Sequence, residues 1–266
     1  MQKEELVQNK RFQIAILYIC TGKYVVFWKD FYQSFEKNFL KKSKVEYFVF
    51  TDAAYIYGES KNDRIHRVFQ KNLGWPGNTL FRFKMFNSIK KQIISFDFAF
   101  FFNANTLCVK EIYEKEFLPL EQELLVVQHP GYYVSSIRRL PYEHRKESSA
   151  YIPKGRGKEY VFGAVNGGKA EAFLKMAEEL ERDIENDFEK GIIAKWHDES
   201  HLNCYIWKSK NYRLLTPSYA YPEGWKLPFE EKIRVLNKSL KIELDLEKLK
   251  ELEQRSVLKR FKKILS

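Results

Sequence analysis

Gln13-Ile-Ala-Ile-Leu-Tyr-Ile-Cys20 is a continuous apolar run of strand length. A strand covered on both faces reads this way, whereas a half-exposed strand alternates. Working outward, residues 24–40 carry apolar groups at helical spacing: Val25, Phe27, Trp28, Phe31, Phe35 and Phe39. Val45 to Phe50 reads as a second strand, ending at Thr51-Asp52. Residues 79–94, with Leu80, Phe83, Met85, Phe86, Ile89 and Ile93, suit a second helix. Phe96 to Phe102 is a third strand, ending at Asn103-Ala-Asn105. Strand, helix, strand, helix, strand predicts a doubly wound α/β sheet. Ligands of such sheets bind outside the carboxyl ends of the strands. Cys20-Thr-Gly22, Thr51-Asp52 and Asn103-Ala-Asn105 all fall at such ends.

The remainder is less regular. Residues 121–165 are rich in Gly, Pro and Tyr, and their strands are short. Residues 169–189 form a clear amphipathic helix, with Ala170, Phe173, Leu174, Met176, Ala177, Leu180 and Ile184 on one face. The segment 240–266 reads as one or two amphipathic helices ending in Arg255, Lys259, Arg260, Lys262 and Lys263. No internal repeat or low-complexity linker interrupts the chain.

The 266 residues are 44% hydrophobic, enough for a sizeable core and against wholesale disorder. The net charge of +11 attracts polyanions or anionic membranes. No nucleic-acid-binding module is recognisable, so that reading is set aside. Cys20, Cys108 and Cys204 have no close spacing and cannot all pair, which argues for a reducing compartment. No apolar run reaches the ~18 residues of a membrane span, and the N-terminus lacks a signal-peptide core. A cytoplasmic protein is expected, with peripheral contact to the inner membrane face left open. The basic C-terminal end is either a solvated cap or an amphipathic membrane-surface anchor.

Residues 196–203, Trp-His-Asp-Glu-Ser-His-Leu-Asn, carry the densest chemistry. Burying so many polar groups is costly unless they bind or react. Three readings compete. His197 and His201 have the i, i+4 spacing of a zinc helix, but Glu199 is not beside the first His as zinc peptidases require. The segment could also be a satisfied polar helix start, with Asp198 as cap. The third reading is a sugar-handling catalytic site.

His197-Asp-Glu-Ser-His-Leu-Asn203 resembles the signature of glycosyltransferase family 6, the family of the blood-group A and B transferases. Six further blocks match in the same order: Lys23-Tyr24-Val25, Val45 to Asp52, His129-Pro-Gly-Tyr-Tyr133, Tyr142 to Pro153, Gly163 to Gly168, and Leu215-Thr-Pro-Ser-Tyr219. The resemblance runs from about residue 12 to residue 240. It implies a GT-A-like fold, with a Rossmann-like nucleotide-binding half merged with an acceptor half. One catalytic domain over 1–240 and a C-terminal extension over 241–266 are then expected. The implied reaction moves Gal or GalNAc from the UDP-sugar to the 3-hydroxyl of a β-galactoside, retaining the α configuration.

The resemblance also implies roles. Glu199 matches the catalytic carboxylate, and a retaining transfer needs an anion on the β face of the anomeric carbon. Asp198 matches the residue that grips donor-sugar hydroxyls. Cys20, Thr21, Tyr24, Arg82, Asn103, Asn105, Phe162, Ala164 and Lys238 are the further donor-side residues. His129, Gly131, Trp196 and His197 are expected on the acceptor side, though His129 also reads as a buried loop histidine. Phe162-Gly163-Ala164 falls on the donor-discriminating triplet and leans to GalNAc. The chain departs from the family at its metal position. Asn103-Ala-Asn105 stands where relatives carry Asp-x-Asp, and neutral amides are weak ligands for a hard dication. The expectation is therefore a transferase with no metal cofactor, and the alternative is a UDP-sugar- or glycan-binding relative without turnover.

Overall fold

The computed structural model describes residues 11–241. All but the first position of the expected extension, and its basic end, lie outside the described residues. The architecture is a seven-stranded mixed sheet flanked by helices. Its strands are β1 (Gln13–Ile19), β2 (Lys44–Thr51), β3 (Ile65–Phe69), β4 (Phe98–Phe102), β6 (Leu124–Gln128), β7 (Val161–Lys169) and β8 (Tyr212–Leu215), in the order β3-β2-β1-β4-β7-β6-β8. The strands are parallel except β7, which is antiparallel to both β4 and β6. A small sheet of β5 (Thr106–Cys108), β9 (Tyr221–Pro222) and β10 (Ile233–Val235) sits beside it.

The opening run behaves as its composition demands. Ile14, Ile16 and Tyr18 pack with Phe27, Trp28, Phe31 and Phe35 on one face. Ala15 and Leu17 join Phe83, Phe86 and Phe173 on the other. Side chains alternate across a strand, so both layers need apolar residues at every position. The aromatic excess is largely spent here: Phe31 and Phe35 stack at 4.1 Å, and Phe35 meets Phe102 edge-on at 4.8 Å. The helix expected over 24–40 is a 3₁₀ turn, Gly22–Phe27, followed by α1 (Trp28–Asn38).

The helix expected over 79–94 is instead three pieces, Gly77–Leu80, Arg82–Asn87 and Lys90–Ile93. Leu80, Phe81, Arg82 and Phe83 are all buried in succession. A regular helix points four successive side chains around most of its circumference, so one face cannot bury them. Phe81 and Ile89, at ψ 21°, break the helix and let each piece turn its own side inward. The third strand begins at Phe98 rather than Phe96, because Asp97 Oδ2 accepts the Gln13 amide at 2.9 Å below the ladder.

The amphipathic helix predicted over 169–189 is α2 (Ala170–Glu189), and α3 (His197–Lys208) follows it. Two features bring the functional segments together. Because β7 runs antiparallel, its first residues lie beside the carboxyl end of β4, with Val165 opposite Phe102. Gly167 permits this pairing, since a Cβ there would lie 2.2 Å from Phe100 Cδ1 and 2.4 Å from the Ala99 carbonyl. In the small sheet, β10 leads the chain back over the end of β4 into the terminal turn Lys238–Lys241. No helix among the described residues is long and apolar enough to cross a membrane.

Candidate active site at the carboxyl ends of the strands

A cleft of about 380 Å³ opens where the parallel strands end. Thr21 and Tyr24 line it after β1, Asn103 and Ala104 after β4, and Arg82, Phe101 and Lys238 complete this part of the lining. Three cations, Lys23, Arg82 and Lys238, therefore line the cleft, with no carboxylate among its described lining residues. Burial pushes the Lys238 ammonium down to about 8, helped by Arg82, and Lys238 Nζ stands 5.5 Å from the Tyr24 ring centroid. A half-buried cation held this way gains from an anion in the cleft.

Arg82 connects this cleft to the motif on α3. Its Nη1 donates to the Gly163 carbonyl at 2.9 Å, and its guanidinium lies 4.5 Å from the Phe101 ring centroid. Arg82 Nε is 2.9 Å from Asp198 Oδ2, both side chains being buried. The Nε hydrogen also points to the Thr79 carbonyl. Asp198 is thus held by charge, and its Oδ2 keeps unsatisfied hydrogen-bonding capacity. Burial pushes the Asp198 carboxyl up to about 6, against the pull of Arg82. A buried acceptor of this kind suits ligand hydroxyls.

Glu199 sits one residue further on. Its Oε2 accepts the Gly163 amide at 2.8 Å. Burial pushes its carboxyl up to about 7, opposed by that amide and by the neighbouring Tyr160 hydroxyl. Gly163 allows the approach, because a Cβ there would stand 3.3 Å from both Glu199 Cβ and Oε2. Asn203 fixes the register of α3 on β7. Its Oδ1 accepts Val161 N–H, and its Nδ2 donates to the Val161 carbonyl, both at 2.9 Å. The same Nδ2 donates to Glu199 O at 2.8 Å.

The two histidines part company. His197 opens α3 at φ 52°, an uncommon conformation for a non-glycine residue, and its ring meets Trp75 edge-on at 5.3 Å. His201 instead faces Asp187, with Nε2 3.7 Å from Oδ2 in the core. They do not share a metal, and no three His, Cys, Asp or Glu among the described residues converge on one. Trp196, at the start of α3, is 45% exposed.

On the proposed acceptor side, the His129 ring packs at 4.6 Å on Phe162 and at 4.8 Å on Tyr132. Its Nδ1 accepts the Gly131 amide at 3.0 Å, and burial pushes its pKa down to about 4, so it is neutral. Some expected donor residues sit differently. Cys20 is fully buried in the core. Ala164 is buried too, and its carbonyl accepts the Asn103 amide at 2.8 Å. Asn105 turns away from the cleft. Its Nδ2 donates to the Leu236 carbonyl at 2.6 Å, anchoring the segment that carries Lys238.

Residues that the sequence reading did not single out also line the cleft: Asn72, Trp75, Asn78 and Thr79. Asn72 and Asn78 cage the turn, with Asn78 Nδ2 donating to Asn72 Oδ1 at 2.8 Å. The run Asn72-Leu-Gly-Trp-Pro-Gly-Asn78 carried a turn signal just after a strand, which is where such sites collect.

The Glu199 carboxylate, a charge-held aspartate and a cationic cleft meet at a topological switch of the sheet. The model of the family described as glycosyltransferase family 6 matches residues 3–244. The chain belongs to glycosyltransferase family 6. It is 37% identical over 212 residues to an Escherichia coli protein named O-antigen biosynthesis glycosyltransferase WbnI, covering 80% of this chain and 89% of that one. It is 28% identical over 225 residues to globoside alpha-1,3-N-acetylgalactosaminyltransferase 1 of Gallus gallus, covering 82% of this chain and 64% of that one. It is also 28% identical to histo-blood group ABO system transferase 2 of Rattus norvegicus, covering 80% of this chain and 65% of that protein. The chain thus spans just under two thirds of these animal relatives. As a family 6 glycosyltransferase it takes a nucleotide-sugar donor and a glycan acceptor.

Positions 103 and 105 offer a divalent cation no carboxylate. Asn103 and Asn105 offer only neutral amides; Asn105 Nδ2 donates to Leu236, and its Oδ1 is buried without a hydrogen-bond partner. Hard cations of this class take carboxylate oxygens.

Proposed function

We propose that the protein moves GalNAc or Gal from the UDP-sugar to the 3-hydroxyl of a β-galactoside, which we expect to be fucosylated. The new linkage is α-1,3, with retention and without a metal ion. The observation that carries this reading is the Arg82–Asp198 pair set beside Glu199 and Gly163, next to a cleft lined by Lys238. Glu199 is the anion for the anomeric carbon, whether by covalent capture or by stabilising an oxocarbenium-like ion. Asp198 grips the donor sugar through its unsatisfied oxygen, with Asn103 beside it. Lys238 and Arg82 neutralise the leaving diphosphate, the role that a dication has in other sites. Trp196, His197 and His129 form the acceptor wall, where the exposed indole offers its face to a galactose ring.

The test is transfer from UDP-GalNAc and UDP-Gal to plain and fucosylated β-galactosides, with and without EDTA. The expected result is α-1,3 product, favouring GalNAc, at a rate that EDTA leaves unchanged. Strict dependence on added Mn²⁺ would overturn the metal-free reading. UDP binding with neither transfer nor hydrolysis would overturn catalysis.

A further inference from the structure

Beside the acceptor wall lies a surface of unusual composition. The segment 129–142 and the segment 151–160 are joined in one lip. Tyr142 Oη donates to the Glu159 carbonyl at 2.6 Å, and Glu143 bridges Tyr151. The first segment exposes Val134 at 79% and Ile137 at 43%. Arg138 and Arg139 follow directly, and the second segment adds Lys154, Arg156 and Lys158, all exposed.

These five cations have no ion-pair partner among the described residues. Elsewhere on the surface some cations are paired, Lys41 with Glu111, Lys84 with Glu185 and Lys110 with Glu230. The lip's own carboxylates offer little relief. Glu143 is engaged by Arg145, Glu159 accepts from Tyr212, and Glu147 stands in the intervening turn.

We propose that this lip docks on an anionic lipid surface, seating Val134 and Ile137 at the headgroup boundary. Unpaired cations on the same lip as exposed aliphatic side chains match the two attractions that hold a peripheral protein on such a surface. An acidic glycan would satisfy the cations but leave both aliphatic residues in water. The lip continues directly from His129, so docking holds the acceptor wall near the lipid. That orientation rests on the proposed function, whereas lipid binding does not.

The test is co-sedimentation of the full chain with phosphatidylcholine–phosphatidylserine vesicles and with pure phosphatidylcholine vesicles. Each cation near a charged leaflet contributes roughly fivefold in binding. The variant Arg138→Glu/Arg139→Glu/Arg156→Glu should therefore lose on the order of a hundredfold or more. Val134→Asp/Ile137→Asp should also bind more weakly, while Lys259→Glu/Arg260→Glu/Lys262→Glu should keep most of the binding. Transfer to a short soluble acceptor, unchanged in the lip variants, shows that they are folded. Three results would overturn the proposal. The wild type could fail to select anionic vesicles. The tail variant rather than the lip variants could lose binding. The aliphatic variant could bind like the wild type, which would mark the lip as a general polyanion site.

Discussion

Removing Arg82 as Arg82→Met tests the electrostatic frame of the site. The guanidinium lies 2.9 Å from Asp198, with side-chain exposures of 6% and 2%. Losing one partner of a buried pair typically costs about 3–5 kcal/mol, because the other charge is stranded. The loss of its bond to Gly163 O adds little, since Asn166 Nδ2 also donates to that carbonyl at 3.3 Å. Asp198 can escape by taking up a proton. Its carboxyl already stands at about 6 with Arg82 present, and removing the cation raises it further. The sign follows from linkage. A carboxyl whose folded pKa is raised binds a proton more readily when folded, so acid favours the native state. The variant's deficit should be about 2–3 kcal/mol at pH 8 and should shrink towards pH 5 as Asp198 protonates. The double variant Arg82→Met/Asp198→Asn should recover about 2 kcal/mol or more at pH 8, because no stranded charge remains. Urea unfolding of the four proteins at the two pH values measures this. An equal deficit at both pH values, with no recovery on Asp198→Asn, would refute the reasoning.

Activity should be bell-shaped in pH. The ratio kcat/KM rises as Glu199 ionises at about 7 and falls as Lys238 loses its proton at about 8. Lys238→Arg should abolish the alkaline limb while keeping the acid one, because guanidinium stays charged; an unmoved alkaline limb would exclude Lys238 as its source. Asn203→Leu should cost about 2–4 kcal/mol in thermal or urea unfolding, since the Val161 amide and carbonyl lose their partners in a buried setting. Gly163→Ala should leave stability nearly intact but lower kcat about tenfold, as a Cβ 3.3 Å from the Glu199 carboxylate pushes it aside. A kcat within twofold of wild type would show that the carboxylate position tolerates the shift.

The local pattern carried a good deal. Residues 13–20 had to be a strand buried on both faces, because no half-exposed strand can hold so unbroken an apolar run. The amphipathic spacing over 169–189 foretold α2 to within a residue. The segment Trp196 to Asn203 announced a polar site by composition, and its resemblance marked Glu199 and Asp198 without any coordinates.

Tertiary structure decided the rest, because the deciding interactions join residues distant in sequence. Periodicity over 79–94 could not reveal that burying Leu80, Phe81, Arg82 and Phe83 in succession breaks the helix. Nor could it place Arg82 against Asp198, 116 positions away. Spacing set His197 and His201 on one helical face, yet the left-handed backbone at His197 turns the first towards Trp75, and the core claims the second for Asp187. Asn105 reads like a ligand of the cleft in one dimension, but in three it fastens Leu236, two residues before the cleft-lining Lys238. Local sequence fixes which segments can be strand or helix, because those depend on near neighbours. Which side chain meets which charge depends on how the antiparallel β7 and the returning β10 bring distant segments to one end of the sheet.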